Sequence, residues 1–339
     1  MKSEGKFLVD WRLLTCICVG FWVGSAGLVS AGGYGPAVDS ATVLVWNLEN
    51  WFDPVYRPPH DDPAFTPRGE KHWTWERFRQ KRNRIVRTLL SVEGRWGQLP
   101  DVVACCEVEN ARVLHALLDE TVLSKADYAV VHHEGQDPRG IECGLLYRTS
   151  VWTLVSSRAV QPVPEGKPLR PILYACLQEQ TSGRYCHFFV NHWPSKRGGT
   201  SDRGRIRAGD ALLGAVDSVL REDPGAWVLA VGDFNDGVQA AALRRLAPRM
   251  QPVLPGVAGA RTGIEGSVRY RGRWDLIDLV LVPKAGPLAP KAWVFAPDQL
   301  LEEDPRWLGV RPLRTYVGPR FVGGVSDHLP IVVRFPKNT

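Results

Sequence analysis

The amino-acid sequence predicts a mixed α/β fold, and three observations support this. Short apolar runs recur along the chain, and the run Val228–Val231 has no polar break, which is typical of a strand buried on both faces. Two long stretches, Trp73–Val92 and Gly204–Leu220, carry apolar residues at helical spacing. Several short strands also follow one another directly. With 339 residues, 44% of them hydrophobic, the chain can bury a large core in one large domain or two small ones.

The N-terminal residues are predicted to be a targeting segment rather than part of the fold. A basic start precedes an apolar stretch over residues 13–29, and Val29-Ser30-Ala31 is a small-residue cleavage site. We expect export with cleavage after Ala31, a glycine-rich linker over residues 32–40 and a folded domain over residues 41–337. An uncleaved signal-anchor is the alternative, because the apolar stretch is nearly long enough to span a bilayer.

Charge and cysteine content restrict the function only loosely. The net charge is +6 at pH 7, and arginine, which suits phosphate recognition, far outnumbers lysine. A GC-rich genome would favour arginine codons as well. Five cysteines follow the targeting segment, so at least one thiol is unpaired. They lack zinc spacing, and we interpret them mainly as small core residues, with one disulfide allowed in an oxidising compartment.

The strands are predicted from short apolar runs and the helices from 3.6-residue periodicity. The predicted strands cover residues 42–46, 101–106, 128–132, 143–147, 151–155, 173–177, 186–190, 227–231, 274–282 and 329–335. The predicted helices cover residues 73–92, 204–220 and 238–246, with a short one directly after residue 108. Proline, glycine and polar residues predict loops over residues 54–72, 247–273 and 283–325.

Several predicted strands end in, or contain, side chains that bind metal or move protons. These are Asn47, Glu107, Asn191 and His192, Asp233 and Asn235, Asp278, and Asp327 and His328. Ligands of α/β folds commonly lie at the carboxyl ends of strands. A tight turn is the simpler interpretation of Gly232–Asp236, since Gly, Asp and Asn are turn residues. Asp278 lies inside an apolar run, where a carboxylate costs several kcal/mol unless it is paired.

Motifs exclude some classes of enzyme. The chain has no GxGxxG, no Walker A motif and no GxSxG elbow. The segment from Asn191 to Gly199 is polar, glycine-rich and basic, and suits a loop that approaches phosphate.

Seven stretches in this order resemble the endonuclease/exonuclease/phosphatase superfamily, the DNase I-like proteins. They are WNLENWFD, CCEVEN, RGIECGLLYR, NHWPSKRGG, GDFND, WDLIDLVLV and SDHLP, and they cover nearly the whole chain after the targeting segment. The NHWPS, RTY-G and GGxSDHLP patterns resemble the secreted bacterial branch most. The resemblance implies a four-layer α/β sandwich, with two mostly antiparallel β-sheets packed face to face and helices outside.

The resemblance also implies roles for individual residues. Glu107 matches the acidic metal ligand, and Asn47 and Asp327 match accessory metal-site residues. His328 matches the catalytic histidine, with Asp278 as its carboxylate partner. His192 matches a second histidine at the scissile phosphate, and Asp233 and Asn235 match the pair that positions nucleophile and phosphate. We expect further phosphate contacts from Arg139, Asn191, Arg197 and Arg314, with solvated surface as the alternative for the arginines.

This set of residues predicts a phosphodiester hydrolase that uses Mg²⁺, with Mn²⁺ or Ca²⁺ as alternatives. A hard cation held by oxygen ligands neutralises phosphate charge, and an Asp-His pair moves a proton. We expect a nuclease acting on DNA or RNA, with no stable protein partner and no membrane contact beyond an uncleaved N-terminal segment. The alternatives are a phospholipid or inositol-phosphate phosphohydrolase and a non-catalytic surface-binding protein.

Overall fold

The computed structural model describes residues 40–57, 62–135, 137–165, 168–196 and 202–337. The strands in these ranges are β1 (Ser40–Trp51), β2 (Val102–Val108), β3 (Tyr128–His132), β4 (Glu142–Arg148), β5 (Trp152–Val160), β6 (Ile172–Glu179), β7 (Tyr185–His192), β8 (Trp227–Asp233), β9 (Met250–Pro252), β10 (Gly256–Ala258), β11 (Val268–Tyr270), β12 (Arg273–Asp275), β13 (Asp278–Pro283), β14 (Lys291–Phe295), β15 (Leu301–Glu303), β16 (Val310–Pro312), β17 (Tyr316–Val317), β18 (Arg320–Phe321) and β19 (Ile331–Pro336). The α-helices are α1 (Trp75–Trp96), α2 (Ala111–Asp119), α3 (Asp202–Glu222) and α4 (Ala241–Leu246). The predicted targeting segment, linker residues 32–39 and Arg197 lie outside the described residues.

Two large sheets dominate the fold. One has seven strands in the order β10-β14-β19-β1-β2-β4-β3, and the other has six in the order β5-β6-β7-β8-β13-β9. The pairs β1/β2, β7/β8 and β10/β14 are parallel and the other pairs within the two sheets are antiparallel. The predicted pair of mostly antiparallel sheets is therefore confirmed.

Alternating burial along β8 shows how the layers pack. Leu229 and Val231 belong to the core between the sheets, whereas Val228 and Ala230 belong to a second cluster with residues of α3 and α4. This explains the unbroken apolar run, because both faces of the strand are covered. Residues of α1 and α2 join the first cluster on the side of the seven-stranded sheet. The predicted four layers, with helices outside two sheets, are present.

The polar residues that were predicted to follow the strands lie partly within them. Strand β1 continues to Trp51, so Asn47 and Glu49 belong to it, and the β1/β2 pairing shifts register between Asn47 and Trp51. Glu107 lies within β2, where the pairing with β4 also shifts. These irregularities turn polar side chains of inner strands toward one end of the sheets.

The prediction of a single strand over residues 274–282 is wrong. The chain breaks at Leu276 and Ile277: β12 pairs with β11 in a ribbon, and β13 joins the six-stranded sheet. Asp278 is the first residue of β13 and lies opposite Asp233 of β8. The two segments that were predicted to be loops over residues 247–273 and 283–325 contain short strands, of which β9, β10 and β14 extend the large sheets.

Gly232 permits the close approach of β7 and β8. Its φ is 122°, and a Cβ at this position would lie 2.1 Å from the carbonyl oxygen of Asn191. A side chain here would push the two parallel strands apart. The glycine thus belongs to the strand that delivers Asp233, and the turn interpretation applies only to the residues after it.

The five cysteines after the targeting segment are buried and free. A hydrogen bond with Cys143, together with burial, raises the pKa of the Cys106 thiol well above the usual value, and burial does the same for Cys186, as expected for core cysteines. Among the residues described here, no helix is both long and apolar enough to cross a membrane.

Candidate active site

A cleft of about 1050 Å³ opens where the inner strands of both sheets end. The parallel pairs β1/β2 and β7/β8 end on this side, and β13 and the segment before β19 begin there. Most of the predicted site residues line the cleft: Glu107, Arg139, His192, Asp233, Asn235, Arg314, Asp327 and His328.

His328 and Asp278 form a buried pair at the floor of the cleft. The Nδ1 atom of His328 lies 2.7 Å from Oδ2 of Asp278, and the same oxygen accepts a hydrogen bond from Ser267 Oγ at 2.5 Å. The Asp278 carboxylate is 1% exposed. His328 is therefore the partner that the Asp278 carboxylate, buried in an apolar run, requires.

The surroundings of the two cleft histidines shift their pKa values in opposite directions. Burial alone would lower the pKa of His328, but the carboxylates of Asp278, Asp233 and Asp327 hold it well above the usual value. Burial together with the positive charges of Arg170 and His328 holds the pKa of His192 well below it. These surroundings therefore favour the protonated form of His328 and the neutral form of His192.

Asp233 lies between these groups. Its Oδ2 is 3.9 Å from Nε2 of His328 and 3.8 Å from Nε2 of His192. Burial raises the pKa of Asp233 to about 7, although the nearby His328 charge acts in the opposite direction. Asn235 donates to Asp233 from its backbone nitrogen at 2.8 Å and from Nδ2 at 3.1 Å. A carboxylate with a pKa near neutrality is suited to accept a proton.

Carboxylates from three segments line the cleft beside these groups. Glu107 accepts hydrogen bonds from the backbone nitrogen of Asn50 at 2.7 Å and from Nδ2 of Asn47 at 3.2 Å. Glu49 and Asp327 line the same region, and burial together with the Asp327 charge raises the pKa of Glu49 to about 8. Such a set of hard, partly desolvated oxygen donors fits a cation like Mg²⁺.

Asn47 links the carboxylates of the two sheets. Its Oδ1 accepts from the backbone nitrogen of Glu49 at 2.9 Å, and its Nδ2 donates to Glu107 and, at 3.0 Å, to Oδ2 of Asp233. Asn47 therefore orients Glu107 and Asp233, and its Oδ1 keeps one lone pair beside the hydrogen bond that it accepts.

One group of described residues could hold a metal ion by distance alone. Among the described residues, Asp233, Asp278 and His328 each bring one ligand atom within 4.8 Å of the others. Nδ1 of His328 is hydrogen-bonded to Asp278, which leaves Nε2 as the only ring atom that could bind a metal in this arrangement. Glu107, Glu49 and Asp327 are further oxygen donors that line the same cleft.

Backbone strain is concentrated at the cleft. Of the eight non-glycine residues with positive φ among those described, four line the cleft: Glu49, Asn50, Glu107 and Asn235. Each such conformation costs of order 1–3 kcal/mol, and it persists only where surrounding contacts enforce it. Here these contacts are the hydrogen bonds that hold the carboxylates.

The predicted substrate contacts agree with the structure only in part. Arg139 lies at the rim, held by Asn50 and, at 3.3 Å, by Asp62, and Arg314 lies 3.5 Å from Asp327. Asn191, by contrast, is fully buried and donates to the Phe189 carbonyl at 2.8 Å while accepting from Trp193 Nε1 at 3.0 Å. Its side chain braces β7, so the expectation of a direct contact with substrate is wrong.

Sequence reasoning missed two basic residues at the site. Arg170 donates to the carbonyls of His192 at 3.1 Å and Trp193 at 3.2 Å and pairs with Asp137 at 2.7 Å. Lys81, 1% exposed on α1, donates to the carbonyl of Glu49 and, at 2.9 Å, to Oγ1 of Thr315. Lys81 follows Phe78 by three residues on α1, and this helical spacing indicates that Lys81 lies on the buried face. Arg170 lies in a segment without periodicity, so its burial could not be predicted from the sequence.

The comparisons with known proteins agree with this architecture. Two face-to-face sheets with outer helices and a cleft at one end define the DNase I-like class of phosphate-ester hydrolases. The chain belongs to the endonuclease/exonuclease/phosphatase family, whose model matches residues 42–337. The predicted resemblance is therefore confirmed. A comparison with curated proteins finds no match.

Solved structures resemble the chain in fold at low sequence identity. A mannosyl-6-phosphatase from Bacteroides thetaiotaomicron is 14% identical with a TM-score of 0.58, over 87% of this chain and 99% of that one. The catalytic domain of human Nocturnin with bound sulfate is 16% identical with a TM-score of 0.53, over 88% and 94% of the two chains. Truncated Caenorhabditis elegans TDP2 is 14% identical with a TM-score of 0.55, over 88% and 97%.

Proposed function

We propose that the protein is a divalent-metal-dependent phosphodiesterase that cleaves nucleic acid. The observation that carries the proposal is the pairing of a proton-holding His328–Asp278 unit with a carboxylate cluster across one cleft. One half of this site handles protons and the other half suits a cation. Phosphodiester hydrolysis needs both, because the phosphate repels anions and water is a poor nucleophile.

Different residues of the cleft bind the cation, accept a proton from water and contact the phosphate. Glu107, Glu49 and Asp327 would hold the divalent cation, which would neutralise charge at the phosphate. Asp233, whose pKa is about 7, takes a proton from the attacking water. His328, paired with Asp278 through Nδ1, faces the cleft through Nε2, and it donates its proton to the leaving oxygen as the P–O bond to that oxygen breaks. His192, held neutral, lies 3.6 Å from Glu107 and can donate a hydrogen bond to a phosphate oxygen without adding charge.

Positive charge at the rim supports a polyanionic substrate. Arg139, Lys196 and Arg314 all line the cleft. They lie on different loops, so they surround the opening rather than forming one pocket for a small terminal phosphate. An extended chain of phosphates matches this distribution better than a single one does.

Hydrolysis assays test the proposal. Plasmid DNA, single-stranded DNA and RNA are incubated with Mg²⁺, with and without a chelator. We expect metal-dependent cleavage by the wild type and a loss of kcat of about 10²–10⁴-fold in His328→Ala, because the group that protonates the leaving oxygen is removed. Asp278→Asn should lose activity as well, since it weakens the imidazolium.

The same assays include the competing substrates. Sphingomyelin, an inositol phosphate and mannose 6-phosphate serve as alternatives, the last because a structural neighbour is a mannosyl-6-phosphatase. Hydrolysis of one of these with nucleic acids untouched would replace the nuclease assignment. Arg221→Glu serves as a control variant, because Arg221 is exposed near the end of α3 that precedes β8, away from the cleft.

We also propose export of the mature protein, on the basis of the N-terminal sequence pattern. Cell fractionation and mass spectrometry of the mature N-terminus test this. A chain that begins at Gly32 in the exported fraction is the expected result. A full-length chain in the membrane fraction would favour the uncleaved signal-anchor instead.

A further inference from the structure

Two neighbouring loop tips are joined into one unit beside the cleft. We call this unit the ribbon platform; it consists of residues 268–275, which form β11 and β12, and residues 301–312, which form β15 and β16. Arg269 connects the two, donating to the carbonyls of Leu308 and Val310 at 2.6 Å and of Gly272 at 3.3 Å. The Arg269 guanidinium also lies 3.7 Å from the buried carboxylate of Asp304. The two tips therefore hold a fixed arrangement.

The platform presents large apolar side chains to solvent. Tyr270 is 53% exposed, Trp307 is 45% exposed and Leu308 is 77% exposed. Leu308 has a φ of 58°, a left-handed conformation that costs a residue with a branched side chain free energy. Gly272 packs so closely that a Cβ there would lie 2.9 Å from Cβ of Trp307. Buried ionic contacts and backbone strain that keep an aromatic tip exposed are characteristic of a contact surface.

The exposed charge of the platform is positive. Its exposed arginines are Arg271, Arg273 and Arg306. The carboxylates of β15 and the residue after it face other arginines: Glu302 pairs with Arg311 at 2.8 Å, Glu303 with Arg261 at 3.2 Å and Asp304 with Arg269. The one other exposed acid of the platform is Asp275, at its cleft end.

Each exposed aromatic ring lies beside an arginine. The Arg271 guanidinium lies 5.2 Å from the ring centre of Tyr270, and that of Arg306 lies 5.4 Å from Trp307. An aromatic face beside a guanidinium matches the two parts of a nucleotide, because the base stacks on a ring and the phosphate pairs with the cation. Stacking requires unpaired bases, so this arrangement suits a single strand better than a duplex.

The platform is continuous with the cleft, since Val268, Arg269 and Tyr270 line both. We propose that the ribbon platform binds the single-stranded nucleic acid that flanks the scissile phosphate, through stacking on Tyr270 and Trp307 and phosphate contacts from Arg271 and Arg306. This inference rests on the proposed function, and it goes further by assigning a preference for single strands to a surface outside the catalytic residues. A phospholipid surface is the competing occupant, because an exposed Trp-Leu tip beside arginines also suits a membrane interface.

Binding measured without cleavage tests the platform. Fluorescence anisotropy with labelled single-stranded and duplex oligonucleotides is recorded on the full-length His328→Ala protein, to which platform substitutions are added. We expect tighter binding of the single strand, and a loss of about tenfold or more in single-strand affinity on Trp307→Ala. Arg306→Ala should also flatten the plot of log affinity against log salt by about 0.7, because one cation that pairs with a phosphate is removed.

Controls separate this proposal from the proposed function. Arg221→Ala, remote from the cleft, should change neither affinity nor salt slope beyond a small nonspecific effect. If the wild type cleaves nucleic acid while Trp307→Ala and Arg306→Ala bind the single strand as tightly as the His328→Ala parent, the platform proposal fails and the nuclease proposal stands. If Trp307→Ala instead abolishes binding to vesicles of anionic phospholipid and leaves oligonucleotide affinity unchanged, the surface is a membrane contact and the proposal is overturned.

Discussion

At the residue scale, the sequence identifies ionisable side chains that must have a cationic or hydrogen-bonding partner because they are buried. Asp278 could be singled out because a carboxylate in an apolar run must be paired, and the structure pairs it with His328 at 2.7 Å. Asn47 and Asn191 could not be assigned this way. An amide both donates and accepts, and only the surrounding backbone decides which atom faces the site. Ser267, which supports Asp278, lies in a segment that the sequence predicts only as loop.

Glu142 provides a pH-dependent prediction at this scale. It is 3% exposed on β4, and burial together with the charge of Asp137 raises its pKa to about 8, with Arg170 acting in the opposite direction. A raised carboxyl pKa means that the folded state binds the proton more tightly, so stability is lost as pH rises from the unfolded value near 4.5 to about 8. Glu142→Gln removes this loss. We expect its free energy of unfolding to exceed that of the wild type by about 4 kcal/mol at pH 8, since each of the roughly 3.5 pKa units between 4.5 and about 8 is worth about 1.4 kcal/mol.

Denaturant unfolding at several pH values measures the effect. The difference between Glu142→Gln and wild type should shrink steadily toward pH 4.5, where both carry an uncharged side chain. Exposed Glu93 on α1 offers the matched control Glu93→Gln, with little change in the difference across this range. A constant advantage of Glu142→Gln at all pH values would show that packing, rather than ionisation, sets the effect.

At the element scale, periodicity identifies long elements well and short ones poorly. Helices α1 and α3 were predicted from their apolar stripes, although Trp75 at the start of α1 is 43% exposed. The break between β12 and β13 could not be predicted from the sequence, because Leu276 and Ile277 continue the apolar run. In the structure the chain passes at these two residues from the β11–β12 ribbon to the six-stranded sheet. Strand β14 has only five residues and is flanked by prolines on both sides, so its apolar pattern is too short to predict a strand. Its pairing with β19 depends on residues far away in sequence.

Arg170 shows how one side chain connects elements at the site. It joins the end of β7 to the loop that carries Asp137 and Arg139, through two carbonyls and one ion pair. Arg170→Met leaves the nearly buried Asp137 without its cation and should cost about 2–3 kcal/mol of stability. It should also lower kcat, because the guanidinium that holds the backbone of His192 is removed. Thermal unfolding and steady-state kinetics measure both quantities.

Two comparison variants separate positioning from stability in the Arg170 experiment. Arg148→Met breaks a similar pair, with Asp127 at 3.0 Å, at the other end of β4. It should lose stability and keep kcat. The double variant Arg170→Met with Asp137→Asn should recover part of the stability and none of the kcat. Full recovery of kcat in the double variant would mean that Arg170 acts only by balancing charge.

At the scale of the whole molecule, the site lies where the two sheets bring acidic side chains to one cleft. Glu107 and Glu49 come from the seven-stranded sheet and Asp233 from the six-stranded sheet, with Asn47 as the hydrogen-bonding link. A cation that binds these side chains only in the folded state should stabilise folding by about 2.7 kcal/mol at 100 times its dissociation constant. For a domain of this size we expect Mg²⁺ to raise Tm by several degrees. Scanning calorimetry of Glu107→Gln should show most of this rise abolished, whereas Glu76→Gln, on the exposed face of α1, should keep it. An equal Mg²⁺-dependent rise in Tm in both variants would show that the cation binds outside the cleft. The cation could then not neutralise charge at the phosphate, as the proposed chemistry requires.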